Sequence, residues 1–87
     1  MTATFINNTA QNRFELSIGN DIAFADYRIE NKILFINYVE APPELRGTGA
    51  AGNLMAEICA YAKKNDLSIT PICSYAAAWL RRHAVPE

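Results

Sequence analysis

Apolar and polar residues alternate through the first third of the chain, in the pattern of β-strands. From residue 13 onward, Phe14, Leu16 and Ile18 are separated by single polar residues, which predicts a strand with one buried face. Gly19 and Asn20 follow, and both residue types tolerate the positive φ angles of a tight hairpin turn. A hairpin is therefore predicted at this point.

The return strand is predicted over residues 22–29, where the alternation is weaker. Phe24 is assigned to one face of this strand, and Tyr27 and Ile29 are assigned to the other. Residues 5–6 form a short apolar patch ahead of a turn-forming Asn-Asn-Thr cluster. We interpret this patch as a possible first edge strand.

Residues 33–39 are apolar on both faces, which is typical of a strand in the middle of a sheet. Pro42 and Pro43 end this strand, since proline cannot donate to the ladder. A helix is then predicted from about residue 49 to residue 64, and Asn65 is expected to end it in the left-handed conformation. The apolar stripe of this helix comprises Ala51, Leu54, Met55, Ile58 and Ala62.

A last strand is predicted over residues 67–73, and Pro71 within it indicates an edge or a point where two strands splay apart. Ser74 is suited to cap a final helix over residues 75–83. The strands of residues 33–39 and 67–73, if they share a sheet, are parallel and joined by a right-handed crossover. Their carboxyl ends then meet at one sheet edge, where open α/β sheets bind ligands.

The loop at that edge is rich in glycine. Gly47 and Gly49 permit backbone angles that are closed to other residues, and a helix start leaves unpaired N–H groups with partial positive charge. Together with Arg46, these features predict an anion site suited to phosphate. An ordinary tight turn between a strand and a helix would use the same residues.

Three kinds of phosphate-binding loop can be compared with this segment. The bare dinucleotide spacing Gly47-x-Gly49-x-x-Gly52 is present, but that unit also needs an acidic residue about 20 positions further on. The nucleoside-triphosphate loop needs Gly-Lys-Ser/Thr, and no lysine follows Gly49 or Gly52. The run Arg46-Gly47-Thr48-Gly49-Ala50-Ala51 resembles the pyrophosphate loop of the GNAT acyltransferases, which bind coenzyme A.

Composition narrows the function classes further. The length of 87 residues predicts one domain spanning residues 1–87, and the apolar fraction of 51% is that of a folded globular protein. A net charge of -1 gives no reason to expect a nucleic acid or an anionic membrane as partner. The first residues lack the basic start and apolar run of a signal peptide. We therefore expect a cytoplasmic protein.

The cysteines are expected to be free thiols in a reducing compartment, although a Cys59–Cys73 disulfide would be possible in an oxidising one. Cys59, Cys73 and His83 are too widely spaced to predict a metal site. Cys73 directly precedes a helix N-terminus, a position that stabilises a thiolate, and it shares the sheet edge with the glycine loop. The alternative is that Cys73 is a small apolar residue at a strand end. Cys59 is interpreted as packing within its helix.

The ordered set of motifs is similar to the small single-domain GNAT-like proteins, the YjdJ-type N-acetyltransferases. The likeness covers nearly the whole chain. It rests on Arg13-Phe14-Glu15-Leu16, Tyr27-Arg28, Val39 with the proline-rich link, residues 46–51, Pro71-Ile72-Cys73-Ser74-Tyr75 and Arg82-His83. The resemblance implies a minimal GNAT-like α/β (α+β) fold, with a mostly antiparallel sheet, one parallel strand pair, a central helix after the pyrophosphate loop and a C-terminal helix.

The resemblance also implies that the chain binds acetyl-CoA or coenzyme A. Backbone N–H groups of the loop would hold the pyrophosphate, and the pantetheine arm would lie between splayed strands. Cys73 would lie near the thioester, as the candidate nucleophile or acid–base group. The residues expected to bind the cofactor are Tyr38, Val39, Glu40, Arg46, Gly47, Thr48, Gly49, Ala50, Ala51, Gly52, Ser74 and Tyr75.

One position departs from the resemblance. Such proteins often carry His-Thr or His-Thr-Glu late in the central strand, where this chain has Asn37-Tyr38. Asparagine cannot act as a general base, so Glu40, Tyr38 or His83 would have to replace the histidine. Glu40 is the preferred replacement, with a solvated turn carboxylate as the alternative. For His83 the alternative is a helix C-terminal cap.

The resulting hypothesis is a small acetyl-CoA-dependent N-acetyltransferase. Its amine acceptor, a small molecule or a protein, is not identified by the sequence. The rival hypothesis is a non-catalytic acyl-CoA-binding or interaction module of the same fold, because the short chain lacks the elements that wall the acceptor site in larger relatives. A dinucleotide enzyme is a third possibility and would require NAD to bind. The protein is expected to be a monomer or a weak homodimer.

Overall fold

The strands lie side by side in the order in which they occur in the sequence. The computed structural model describes residues 3–83. The strands are β1 (Ala3–Asn8), β2 (Arg13–Ile18), β3 (Asp21–Glu30), β4 (Ile33–Glu40) and β5 (Ser68–Pro71). Neighbours from β1 to β4 are antiparallel, whereas β4 and β5 are parallel. The prediction of a mostly antiparallel sheet with one parallel pair is confirmed.

Two helices and one short 3-10 helix complete the described chain. The 3-10 helix (Pro43–Leu45) follows β4 and leads into α1 (Ala50–Lys64), while α2 (Ser74–Arg82) follows β5. Helix α1 therefore connects the two parallel strands, as the predicted strand–helix–strand unit requires. Within residues 3–83, no helix is both long enough and apolar enough to cross a membrane.

The hydrophobic core lies between one face of the sheet and the two helices. Phe14 and Leu16, the alternate apolar residues of β2, are 0% and 2% exposed. They join a single cluster with buried residues of both helices, which include Leu54, Met55 and Ile58 of α1 and Ala76, Trp79 and Leu80 of α2. Among residues 3–83, no side chain on the opposite face of the sheet is buried. The fold therefore has two layers, with one sheet face uncovered.

On the uncovered face, polar and aromatic side chains shield one another. The Arg13 guanidinium lies 4.0 Å from the centre of the Phe24 ring, and that of Arg28 lies 4.0 Å from the centre of the Phe35 ring. Arg13 also pairs with Asp26 at 3.4 Å. Strand β4 has a neighbour on each side, as its apolar residues predict, but only one of its faces contacts the helices.

An aromatic cluster anchors α1 to the sheet. Phe14 stacks on Tyr27 with ring centres 4.3 Å apart, and it meets Tyr61 of α1 edge-on at 5.1 Å. The Tyr27 hydroxyl donates to Asn7 Oδ1 at 2.6 Å, and Asn7 Nδ2 donates to the Tyr61 hydroxyl at 3.2 Å. Burial raises the pKa of Tyr27, although its hydrogen bond to Asn7 acts in the opposite direction. Because the polar side chains satisfy one another, the cluster stabilises the fold.

Several predicted element ends differ from the structure by one or two residues, and three of these differences concern the sheet edge and the helix caps. The last strand comprises only Ser68–Pro71, so Ile72 and Cys73 lie outside it. Cys73, not Ser74, occupies the N-cap position of α2, and it makes no side-chain capping bond. Asn65 has φ -104°, and Asp66 at φ 57° takes the left-handed conformation instead. These differences are shifts of one or two positions at the ends of correctly predicted elements.

The apolar stripe of α1 is confirmed at four of its five positions, which are Leu54, Met55, Ile58 and Ala62. The fifth buried position is Ala50, whereas Ala51 is half-buried. Because positions 50, 54, 58 and 62 are spaced by four, they lie on one side of the helix. Ile29, assigned to the same face as Tyr27, lies near the end of β3 and is exposed.

A β-bulge interrupts the pairing of β3 and β4. Tyr27 pairs with Ile36 and Asp26 pairs with Tyr38, so Asn37 has no partner on β3. An extra residue of this kind bends its strand and re-aims the side chains that follow it. Tyr38 consequently shares the uncovered face with Asp26.

Candidate functional site

The loop between the 3-10 helix and α1 follows a backbone path that requires glycine twice. Gly47 has φ 81° and Gly49 has φ 84°, in the left-handed region that other residues rarely adopt. A Cβ atom built at either position would meet nothing within 4 Å. The glycines are therefore needed for the turn itself, and the space beside them is open to a ligand.

The first turn of α1 has hydrogen-bond donors without acceptors. The N–H of Ala50 donates to Thr48 Oγ1 at 3.3 Å, and no acidic residue lies in the first turn of the helix. Four backbone N–H groups have no acceptor within residues 3–83, namely those of Gly47, Gly49, Ala51 and Gly52. The N-terminus of α1 therefore retains its partial positive charge.

A cavity of ≈ 260 Å³ lies against this turn. The charged residue in its lining is Arg46, whose Nε donates to the Ala41 carbonyl at 3.1 Å. The full lining comprises Ala41, Leu45, Arg46, Gly47, Gly49, Ala50, Ala51, Gly52 and Tyr75. Free donors, a positive charge and open space fit a phosphate-containing ligand such as the pyrophosphate of coenzyme A.

A larger cavity of ≈ 460 Å³ lies beside the 3-10 helix and the β2–β3 turn. Asp21 and Glu44 contribute carboxylates to its lining, and these would repel a phosphate group. The smaller cavity is therefore the better candidate for a phosphate ligand.

Gly52, the third glycine of the loop region, is explained by helix packing. A Cβ atom at Gly52 would lie 3.4 Å from Trp79 Nε1 of α2, which is tight for two packed groups. Glycine at this position lets the two helices approach closely. The apparent dinucleotide spacing therefore has a structural cause.

The parallel strands separate beyond Ile36 and leave a gap at the same sheet edge. The last paired residues are Ile36 and Pro71. The Ile36 carbonyl then accepts hydrogen bonds from the N–H groups of Ile72 at 2.9 Å and Cys73 at 3.1 Å. Within the described chain, residues 37–40 of β4 have no partner on β5. The prediction of an edge or a splay at Pro71 is confirmed in both senses, since β5 is an edge strand and its pairing with β4 ends at Pro71. The free edge of β4 can pair with an extended ligand.

Tyr38 stands at this gap with 47% of its surface exposed. Its hydroxyl donates to Glu40 Oε1 at 2.8 Å. This hydrogen bond and the charge of Glu40 raise the pKa of Tyr38, as desolvation and Cys73 also do, whereas Arg46 lowers it. Residues of β4, the glycine loop and the start of α2 are thus close enough to influence one another electrostatically.

Cys73 is half-buried at the N-cap of α2, with Ser74 exposed beside it. Cys59 lies in the middle of α1, where burial raises the pKa of its thiol. Both cysteines are free thiols. The two thiols therefore have different surroundings: Cys73 lies at the sheet edge, whereas Cys59 packs within α1.

His83 occupies the C-cap position of α2, at the other end of that helix from Cys73. Its ring stacks on Trp79 at 3.8 Å, and its Nδ1 lies 2.8 Å from the Trp79 carbonyl oxygen. The interpretation of His83 as a helix cap is confirmed.

Sequence reasoning did not identify Ala41 and Leu45 in the cavity lining, nor the hydrogen bond between Tyr38 and Glu40. Residues two apart on a strand share a face, so the spacing of Tyr38 and Glu40 was an available signal. No local pattern indicates the packing of Trp79 against α1, because it depends on how the two helices meet.

A sequence profile of the GCN5-related N-acetyltransferase family matches residues 13–86. The matched region begins with β2 and extends past α2, so it includes the glycine loop, the gap and Cys73. The chain belongs to the GCN5-related N-acetyltransferase family. The resemblance noted from the motifs is thereby confirmed.

The fold of this GCN5-related N-acetyltransferase family member is also similar to a solved structure. That structure is the NMR solution structure of a GCN5-like protein from Staphylococcus aureus, with a TM-score of 0.72 and 25% sequence identity. The similarity covers 92% of this chain and 79% of the other. No curated protein matches the chain significantly.

Proposed function

We propose that this protein is an acetyl-CoA-dependent N-acetyltransferase, built as one domain over residues 1–87. The observation that carries the proposal is the placement of two features at one sheet edge. These are the free donors at the start of α1 and the gap between β4 and β5. Coenzyme A has a pyrophosphate, which suits the free donors, and an extended arm ending in sulfur, which suits the gap.

Each predicted binding residue has a place in this proposal. Within residues 46–52, which include Thr48 and Ala50, the free backbone N–H groups of Gly47, Gly49, Ala51 and Gly52 hold the pyrophosphate, and Arg46 adds a full positive charge. The pantetheine arm follows the free main-chain edge of Tyr38, Val39 and Glu40. Ser74 and Tyr75 contact the ligand from the first turn of α2, since Tyr75 already lines the cavity.

Cys73 is proposed to accept the acetyl group before the amine does. Its thiolate attacks the thioester carbonyl carbon, a new S–C bond forms, and the bond to the coenzyme A sulfur breaks. Coenzyme A leaves as a thiolate that takes a proton from solvent. The amine then attacks the acetylated Cys73, releases the Cys73 thiolate and loses one proton. The first turn of α2, which follows Cys73, contains no acidic residue.

Titration with coenzyme A and acetyl-CoA, followed by NMR chemical shifts, tests the binding step. We expect saturable binding, with the largest shifts at the backbone amides of residues 46–52, residues 37–40 and Cys73. Inorganic pyrophosphate is the matched probe, because it lacks the arm and should shift the loop without shifting the gap. If neither thioester nor coenzyme A binds at millimolar concentration, the loop is an ordinary turn and the proposed function is refuted.

Mixing the protein with acetyl-CoA in the absence of an amine tests the role of Cys73. We expect mass spectrometry to find an acetyl group on the peptide that contains Cys73. Cys73→Ser is expected to abolish this product, whereas Cys59→Ser is expected to leave it unchanged, because Cys59 is half-buried in α1. Equal acetyl transfer to an amine by Cys73→Ser and the wild-type protein would show instead that Cys73 only lines the site.

A non-catalytic acyl-CoA-binding or interaction module is the second candidate. Asn37 favours it, because this residue cannot transfer a proton. If the protein is such a module, the wild-type protein would bind acetyl-CoA. In the presence of amines, whether small molecules or proteins, it would release coenzyme A no faster than acetyl-CoA reacts with those amines without protein. Transfer above that rate would favour the enzyme.

A further inference from the structure

Strand β1 forms one edge of the sheet, and one side of its backbone is unpaired. Within residues 3–83 it pairs with β2 alone, so alternate N–H and C=O groups point away from the sheet. Such an edge can accept a strand from another chain, and folded proteins usually protect it against this. The protection of each edge therefore indicates whether a further strand can be added there.

The two edges of this sheet differ in protection. Strand β5, at the opposite edge, has four residues and ends at Pro71, and both a short length and a proline hinder pairing. Strand β1 has six residues without a charge or a proline, and its register with β2 is continuous over all six. It also contains Thr4, Phe5 and Ile6, which are residue types that favour strands. β1 is therefore the edge to which a strand can be added.

The side chains of β1 are incompletely covered. Ile6 is 48% exposed on the uncovered face of the sheet. Phe5, on the other face, is half-buried, although its ring stacks on Phe14 at 5.7 Å. Helix α1 packs more on β2, β3, β4 and β5 than on β1. A strand laid along β1 would bury part of both Phe5 and Ile6.

A second copy of this chain has the properties that the edge requires. Residues 3–8 carry no charge, so two antiparallel copies of β1 place no like charges opposite each other. Because successive residues alternate between faces, a two-fold axis through Ile6 keeps the uncovered faces of both copies on one side. The opposite pairs in this register are Ile6–Ile6, Thr4–Asn8 and Phe5–Asn7.

We propose that β1 pairs antiparallel with β1 of a second copy and joins the two five-stranded sheets into one. This inference does not depend on the proposed function. The paired segment, residues 4–8, is much smaller than the roughly 20–30 residues a side of a stable interface. The dimer is therefore weak and forms as the protein concentration rises. Because the gap between β4 and β5 lies at the far side of the sheet, both candidate sites stay accessible.

Sedimentation equilibrium and NMR of the wild-type protein, from micromolar to millimolar concentration, test the pairing. We expect a monomer–dimer equilibrium, with concentration-dependent amide shifts centred on residues 4–8. Added salt should not weaken this dimer, because β1 is uncharged, whereas it would weaken a dimer held by the charged uncovered face. A monomer throughout this range, or shifts confined to the uncovered faces of β3 and β4, would overturn the proposal.

Ile6→Lys is expected to raise the dissociation constant of the dimer about 10-fold or more, because two like charges would stand opposite each other. Ile22→Lys is the matched control and should leave the dimer unchanged. Ile22 is 44% exposed on the same face, but its strand, β3, has a neighbour on each side. Circular dichroism checks that both variants are folded. Equal weakening by the two variants, or none by Ile6→Lys, would contradict pairing through β1.

Discussion

Replacing Phe14 with alanine is expected to lower the free energy of unfolding by about 3–5 kcal/mol. Phe14 is 0% exposed and contacts three other rings, those of Phe5, Tyr27 and Tyr61. Its removal leaves a cavity between β2 and α1 that the surrounding rings cannot fill without moving. Since small domains are stable by only about 5–15 kcal/mol, the variant should be close to unfolded. Urea unfolding followed by circular dichroism measures the loss.

Phe24→Ala is the matched control on the other face of the sheet. Phe24 is half-buried and is covered by the Arg13 guanidinium at 4.0 Å, a contact worth about 0.5–1 kcal/mol. We expect a loss of about 1 kcal/mol, because solvent can occupy the space that the ring leaves. Equal losses in the two variants would contradict a two-layer fold with one uncovered sheet face.

Phe14 and Phe24 show which structural features the alternating apolar pattern predicts and which it does not. It separates Phe14 from the polar residues beside it, because successive strand residues point to opposite faces. The same rule places Phe24 on the other face, but it does not say whether a helix covers that face. The Arg13 contact that shields Phe24 depends on the register of β2 against β3, which local sequence does not specify.

The ends of the helices show a similar limit. Apolar spacing predicts α1 and four of its buried positions. It does not distinguish Ala50 from Ala51, because alanine can occupy the buried or the exposed side of a helix. The left-handed residue is Asp66 and not Asn65. Both residue types tolerate that conformation, so only the packed structure decides between them.

At the candidate site, the glycine loop could be predicted from residue type, because Gly47 and Gly49 are needed for positive φ. The opening of the gap was indicated by Pro71, which cannot donate to the ladder. The bulge at Asn37 has no such sequence signal, since asparagine neither requires nor excludes it. The pairing of Tyr38 with Glu40 on the uncovered face is therefore a property of the folded strand.

Replacing Ala51 with glutamate is expected to weaken coenzyme A binding about 100-fold or more, without loss of stability. Ala51 lines the smaller cavity, and its N–H has no acceptor within residues 3–83. A carboxylate there would occupy the donors and repel the pyrophosphate, by about 4 kcal/mol for unit charges 4 Å apart near a surface. An acidic side chain in the first turn of a helix stabilises it by about 0.3–1 kcal/mol. Calorimetry gives the affinity and thermal unfolding gives the stability.

Two variants separate charge from bulk in this measurement. Ala51→Gln has nearly the same size and no charge, so it should retain most of the affinity that Ala51→Glu loses. Ala56→Glu adds the same charge at an exposed position further along α1 and should leave binding unchanged. Because added salt screens the repulsion, the loss of coenzyme A affinity caused by Ala51→Glu should decrease as ionic strength rises. If Ala51→Glu binds coenzyme A as tightly as the wild-type protein, the pyrophosphate does not lie at the start of α1, and the cavity beside Arg46 is not the coenzyme site.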